Sequence, residues 1–167
     1  MSDAEKYSPA LHVVLYQPEI PHNTGSVGRT CVATGVKLWL VEPLGFRLDD
    51  YYLRRAGLDY WPALEWEVVP DWPALVARLP GARFWFFSKS ASRVYHQVAF
   101  QRGDVLVFGN ESQGLPDSMR AAAGESLLGI PIRPQVRSLN LSNAVAIVLY
   151  EALRQGFAVE WDDSHGT

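Results

Sequence analysis

The chain holds a single cysteine, Cys31, which excludes an intrachain disulfide and fits a reducing compartment. Its four histidines, His12, His22, His96 and His165, are scattered, with no HExxH or CxxC spacing, so no metal site is expected. No GxGxxG opens a helix and no P-loop signature occurs, which removes the usual dinucleotide and nucleoside-triphosphate fingerprints. Ser112 stands in GNESQG rather than in a GxSxG elbow, and no Ser–His–Asp or Cys–His arrangement suggests itself. The longest apolar runs fall well short of a membrane span. MSDAEKYSPA at the start lacks the apolar segment of a signal peptide. A cytoplasmic location is therefore expected, with no membrane partner. Neither sign of charge dominates: 15 Lys and Arg against 18 Asp and Glu leave a net charge of −3. A basic surface is not visible in those totals, although a local patch suffices for phosphate contacts.

What is present is a globular composition. The 167 residues are 48% hydrophobic and include six tryptophans, enough for one domain with a full core over 1–167. Residues 1–9 read as a loose polar arm and 158–167 as an acidic tail. Apolar segments at 11–16, 37–42, 66–69, 83–87, 105–108 and 127–132 have strand length and β-branched or aromatic content. Helical segments are expected at 25–34, 49–56, 71–79, 117–123 and 144–154, the third capped by Asp71 and the last by Ser142 or Asn143. Gly35 is placed to end the first. Strands and helices alternate throughout, the pattern of a single-domain α/β fold with a parallel sheet.

Three polar stretches follow apolar strands. The first is Asn23-Thr24-Gly25 with Arg29 and Thr30, where Gly25 and Gly28 permit close approach of a backbone or a ligand. The second is Gly109-Asn110-Glu111-Ser112-Gln113-Gly114. The third runs from Arg133 to Asn143 after Ile130-Pro131-Ile132. Each alone is also ordinary turn or cap chemistry. Three together at strand ends match the edge where open α/β sheets bind ligands.

NTGSVGRT, VLVFGNESQGLP and IPIRPQVRSLNLSNAVAIVLYEALR together resemble the three motifs of the SPOUT RNA methyltransferases, the SpoU–TrmD class. VLYQPEIPHNTG, EPLGF at 42–46 and LRRAGLDYW at 53–61 resemble a short subfamily of these enzymes. That subfamily methylates the ribose 2′-oxygen of the wobble nucleotide, position 34, of bacterial tRNA. The resemblance runs from about Leu11 to Gly156. It implies a deep C-terminal trefoil knot, a homodimer with the site near its interface, and S-adenosylmethionine as methyl donor, with S-adenosylhomocysteine as product. The substrate it implies is a tRNA anticodon stem-loop carrying cytidine or a modified uridine at the target, with leucine isoacceptors among the tRNAs.

Carried over by motif position, the cofactor pocket would use Phe86, Phe87, Gly109, Asn110 and Gly114. It would continue through Ile130, Ile132, Ser138, Leu139, Asn140 and Asn143. The catalytic carry-over falls on Arg29, supported by Asn23, Glu111, Ser142, Asn143 and Tyr150. A guanidinium stays charged at neutral pH, so Arg29 is expected to stabilise a developing 2′-oxyanion or an adjacent phosphate rather than act as a base. The proton would pass to a phosphate oxygen or to water. Arg54, Arg55, Lys89 and Arg93, with His22 and Arg137, are the expected RNA contacts. Tyr51, Tyr52, Tyr60 and Trp61 are either stacking platforms for unpaired bases or parts of the core or dimer interface. The alternatives are 2′-O-methylation at another tRNA or rRNA position, and a knotted RNA-binding protein without turnover.

Overall fold

The computed structural model describes residues 9–49, 55 and 59–156. Among these residues, seven strands form one sheet in the order β3-β2-β1-β6-β4-β7-β5. They are β1 His12–Tyr16, β2 Lys37–Val41, β3 Trp66–Val69, β4 Phe84–Phe87, β5 Arg93–Val94, β6 Val105–Phe108 and β7 Leu127–Gly129. Every pairing is parallel, from His12 opposite Lys37 and Val105 in β1 to Val94 opposite Gly129 at the edge. The four α-helices among the described residues are α1 Pro21–Thr34, α2 Trp72–Arg78, α3 Asp117–Ala123 and α4 Leu141–Arg154. The helix expected at 49–56 lies almost wholly outside the described residues.

Strand alternation divides the core into two layers. Val13, Leu15, Leu38, Leu40, Leu106 and Phe108 point to one face, where α1 and α4 add Val27, Cys31, Val145 and Leu149. Val14, Trp39, Val41, Val105 and Val107 point to the other, against Leu75 and Trp72 of α2 and Met119 of α3. The central strands are apolar on both sides because helices cover both faces, which is why they read as continuous hydrophobic runs.

Local chemistry sets the helix ends. Asp71 caps α2 by accepting from the Ala74 amide at 2.8 Å. Gly35 closes α1 at φ 67°, a left-handed conformation that glycine adopts without strain. α1 begins at Pro21, four residues earlier than the sequence pattern indicates, since proline at the first helical position sacrifices no hydrogen bond. Asn23 and Thr24 are thus buried helix residues rather than loop. α4 also starts early, at Leu141, and its cap is Asn140 rather than Ser142 or Asn143. β7 ends at Gly129, so Ile130-Pro131-Ile132 belongs to the following segment.

Candidate functional site

The sheet order makes β1, β6, β4 and β7 neighbours. The segments leaving their C-terminal ends converge on one cavity of about 630 Å³, a size suited to a small-molecule ligand. Ile20 and Asn23 come from the start of α1, Ser88 and Lys89 follow β4, residues 109–115 follow β6, and residues 130–141 follow β7. This is the edge at which open α/β sheets place ligands.

The β6 loop is the tightest part of the wall. Asn110 and Gly114 pair as an antiparallel bridge, and Asn110 Oδ1 accepts from the Gln113 amide at 2.8 Å. Gly114 sits at φ 69°. A Cβ at Gly109 would lie 2.1 Å from the Gly114 carbonyl carbon and 2.2 Å from the Leu115 nitrogen, so only glycine fits.

Glu111 closes this loop onto α1. Its carboxylate accepts from the amides of Glu19 at 2.8 Å and Ile20 at 3.1 Å, and from Asn23 Nδ2 at 3.3 Å. These include backbone donors at the helix entrance, where an anion also meets the favourable end of the helix dipole. Ser112 Oγ donates to Glu19 Oε1 at 2.6 Å across the same seam. Asn140 extends the network: its Nδ2 donates to Asn23 Oδ1 at 3.0 Å, while its Oδ1 accepts from the Ser142 amide at 2.9 Å and the Ser142 hydroxyl at 2.6 Å. All three sequence motifs therefore meet through Asn23, Glu111 and Asn140.

The residues expected to hold the cofactor separate by position. Phe87, Gly109, Asn110, Gly114, Ile130, Ile132, Ser138, Leu139 and Asn140 line the cavity. Phe86 does not. Strand alternation turns it to the opposite face, where its ring lies 5.7 Å from that of Trp72. Phe87 instead stacks on Phe108, with centroids 4.6 Å apart and planes 9° apart, forming an apolar floor. Asn143 is exposed and lies outside the cavity lining.

Of the catalytic candidates, Asn23 and Glu111 line the cavity, and Arg29, Ser142 and Tyr150 do not. Arg29 is exposed on α1, its guanidinium carbon 5.0 Å from the centre of the Tyr60 ring. Tyr150 is 54% exposed on α4. Of the expected RNA contacts, Lys89 and Arg137 line the cavity. Arg93 is exposed near its own strand end and donates to the Glu125 carbonyl at 2.9 Å. His22 and Arg55 are exposed, and Arg54, Tyr51 and Tyr52 lie outside the described residues.

Sequence reasoning missed Arg120, which lines the cavity from α3. It donates to Ser90 Oγ at 3.2 Å and pairs with Asp117, while its Nε is buried without a partner among the described residues. In sequence it reads only as an ordinary helical arginine. A buried guanidinium donor suits an anionic group such as a carboxylate. The apolar walls from Phe87, Phe108, Leu115, Ile130, Ile132 and Leu141 suit a flat base. S-adenosylmethionine carries both groups, so the residues present fit it. Among the described residues, no cluster of His, Cys, Asp and Glu is arranged to hold a metal ion.

The chain is similar to known proteins in both sequence and fold. The tRNA (cytidine(34)-2'-O)-methyltransferase of Methylovorus glucosotrophus (strain SIP3-4) is 49% identical over 144 residues, 86% of this chain and 94% of that protein. A solved structure described as giving insights into the 2-OH methylation of C/U34 on tRNA superposes with a TM-score of 0.85. It is 46% identical, and the match covers 89% of this chain and 97% of that one. An AdoMet-bound rRNA methyltransferase from Sinorhizobium meliloti superposes with a TM-score of 0.79 at 27% identity, covering 90% of this chain and 58% of that one. Residues 10–150 match the SpoU rRNA Methylase family, and with that match and those relatives the chain belongs to this family.

Proposed function

We propose that the protein transfers a methyl group from S-adenosylmethionine to the ribose 2′-hydroxyl of the wobble nucleotide, position 34, in tRNA. The observation that carries this reading is the convergence of three motifs on one cavity, in a chain 49% identical to a protein named for that reaction. The bound cofactor would supply an already activated methyl group on a sulfonium. The 2′-oxygen attacks the methyl carbon in line as the carbon–sulfur bond breaks. The bonding pair stays on sulfur, and the hydroxyl proton passes to water or a phosphate oxygen.

The chain's own residues do the rest. Ile130, Ile132 and Leu139 would hold the adenine, and Ser138 with nearby backbone amides would contact the ribose. Lys89 and Arg137 at the cavity wall would meet RNA phosphate. Arg29 would stabilise the developing oxyanion, which a permanently charged guanidinium does well. Asn23 and Glu111 act by shaping the wall, since the Glu111 carboxylate is occupied by two backbone amides and an amide side chain.

The same reading includes a homodimer. Arg29 does not line the cavity of its own chain. It belongs to an exposed stripe of α1 with His22 and Ala33, and α4 presents a neighbouring one with Asn143, Ile147 and Tyr150. A second copy packed on these helices would bring Arg29 to the partner's cavity. The trefoil knot belongs to this reading too, and the insertion of β7 between the earlier strands β4 and β5 supports it. No helix among the described residues is long and apolar enough to cross a membrane, and a tRNA substrate carries a cytoplasmic location with it. Arg29→Ala tests the chemistry. Methyl transfer should collapse while cofactor binding persists, and normal turnover would remove Arg29 from the mechanism.

A further inference from the structure

Tyr60 belongs to LRRAGLDYW, whose described residues, Arg55 and Asp59 to Trp61, do not line the cavity. Its hydroxyl donates to the Gly25 carbonyl at 2.6 Å, and its ring lies beneath the Arg29 guanidinium at 5.0 Å. Gly25 and Arg29 are one helical turn apart on α1, so a single side chain grips both ends of that turn. The next residue holds the ring's backbone in place. Trp61 packs against Gly28 so closely that a Cβ there would lie 2.9 Å from Trp61 Cζ3 and 3.2 Å from Leu64 Cδ2. Trp61 also meets Trp66 with ring centres 5.1 Å apart. Burial raises the Tyr60 phenol above its ordinary value, with the Arg29 charge opposing, so the hydroxyl remains a donor at neutral pH.

We propose that Tyr60 is a positioning residue: it holds the Arg29 guanidinium in a fixed place for the methyl-transfer step. Arginine has many rotamers, and ordering one during the reaction costs entropy that an aromatic platform removes beforehand. The small residues of α1 then have a reason. Gly28 admits Trp61, Trp61 seats Tyr60, and Tyr60 seats Arg29.

This inference rests on the catalytic role given to Arg29, and the test separates the two. Tyr60→Phe, Tyr60→Leu and Tyr60→Met are compared with Arg29→Ala and with the Tyr60→Leu/Arg29→Ala pair. The readouts are single-turnover methyl transfer to tRNA, KM for tRNA, and S-adenosylmethionine affinity by calorimetry. Loss of the ring should lower kcat about tenfold with cofactor affinity unchanged, and the Phe variant should recover most of it. In the Arg29→Ala background, removing the ring should cost nothing further. An equal loss in both backgrounds, or a rise in KM alone, would mean that Tyr60 contacts RNA directly and would overturn the proposal. So would normal turnover by a folded Leu or Met variant while Arg29→Ala is inactive. Normal turnover by Arg29→Ala would instead remove the reading on which the proposal stands.

Discussion

Asn140 Nδ2 donates to Asn23 Oδ1 at 3.0 Å, joining the cap of α4 to the first turn of α1 across 117 positions of sequence. Glu111 binds the same asparagine from the other side. The cavity wall thus depends on a side-chain network linking three distant segments, and such networks respond as units.

Asn140→Ala removes both the cap and the tie. The expected loss of stability is about 1–2 kcal/mol, read by urea denaturation, with weaker cofactor binding because Asn140 lines the cavity. Asn140→Ser keeps a capping oxygen and loses the donation to Asn23, so its loss should be smaller.

Gly109→Ala forces a methyl group into backbone atoms little more than 2 Å away. The loop 109–114 must shift, at a cost of about 1–3 kcal/mol. Calorimetry should show cofactor affinity reduced at least about tenfold in protein that remains folded by circular dichroism.

His12 opens β1, at the strand end away from the cavity, and accepts the Trp39 indole N–H on Nδ1 at 3.1 Å. Burial, and then the Lys37 charge, lower its pKa from 6.5 to about 4. The unfolded chain takes up this proton below about pH 6.5, whereas the fold resists until about pH 4. Stability from this residue is therefore whole above pH 6.5, declines between these values and levels off below about 4. His12→Gln should flatten that stretch of the urea-derived stability curve by about 3 kcal/mol relative to the unaltered chain.

Much of this was legible in the sequence. The parallel α/β pattern followed from apolar runs alternating with helical ones, and Trp66–Val69, Val105–Phe108 and Asp117–Ala123 are placed as their patterns indicate. Helix starts were less legible. Two prolines make QPEIPHNT look like loop, although Pro21 opens α1, and SLNLSN offers four serines and asparagines, of which Asn140 is the cap of α4. Strand alternation decides between Phe86 and Phe87, but a boundary uncertain by one residue reverses that choice. The seating of Glu111 on amides 91 and 92 positions away has no local signal at all. Nor has the place of Arg120 in the cavity wall.

If Arg29 serves the partner's cavity, two variants that are inactive at limiting cofactor should complement. Arg29→Ala and Gly109→Ala chains, reassorted at random, would give half mixed dimers, each with one intact site. About a quarter of full activity should return. No recovery would place Arg29 in its own chain's site.

The most direct measurement of the central claim incubates the purified protein with methyl-labelled S-adenosylmethionine and tRNA lacking ribose methylation. The RNA is then digested with ribonuclease T2, which does not cut beside a 2′-O-methylated ribose. The account predicts label in a resistant dinucleotide that maps to the wobble position of the anticodon. Label in a mononucleotide would mean base methylation and would contradict it. So would resistant label mapping elsewhere in the RNA, or no label from protein that still binds the cofactor.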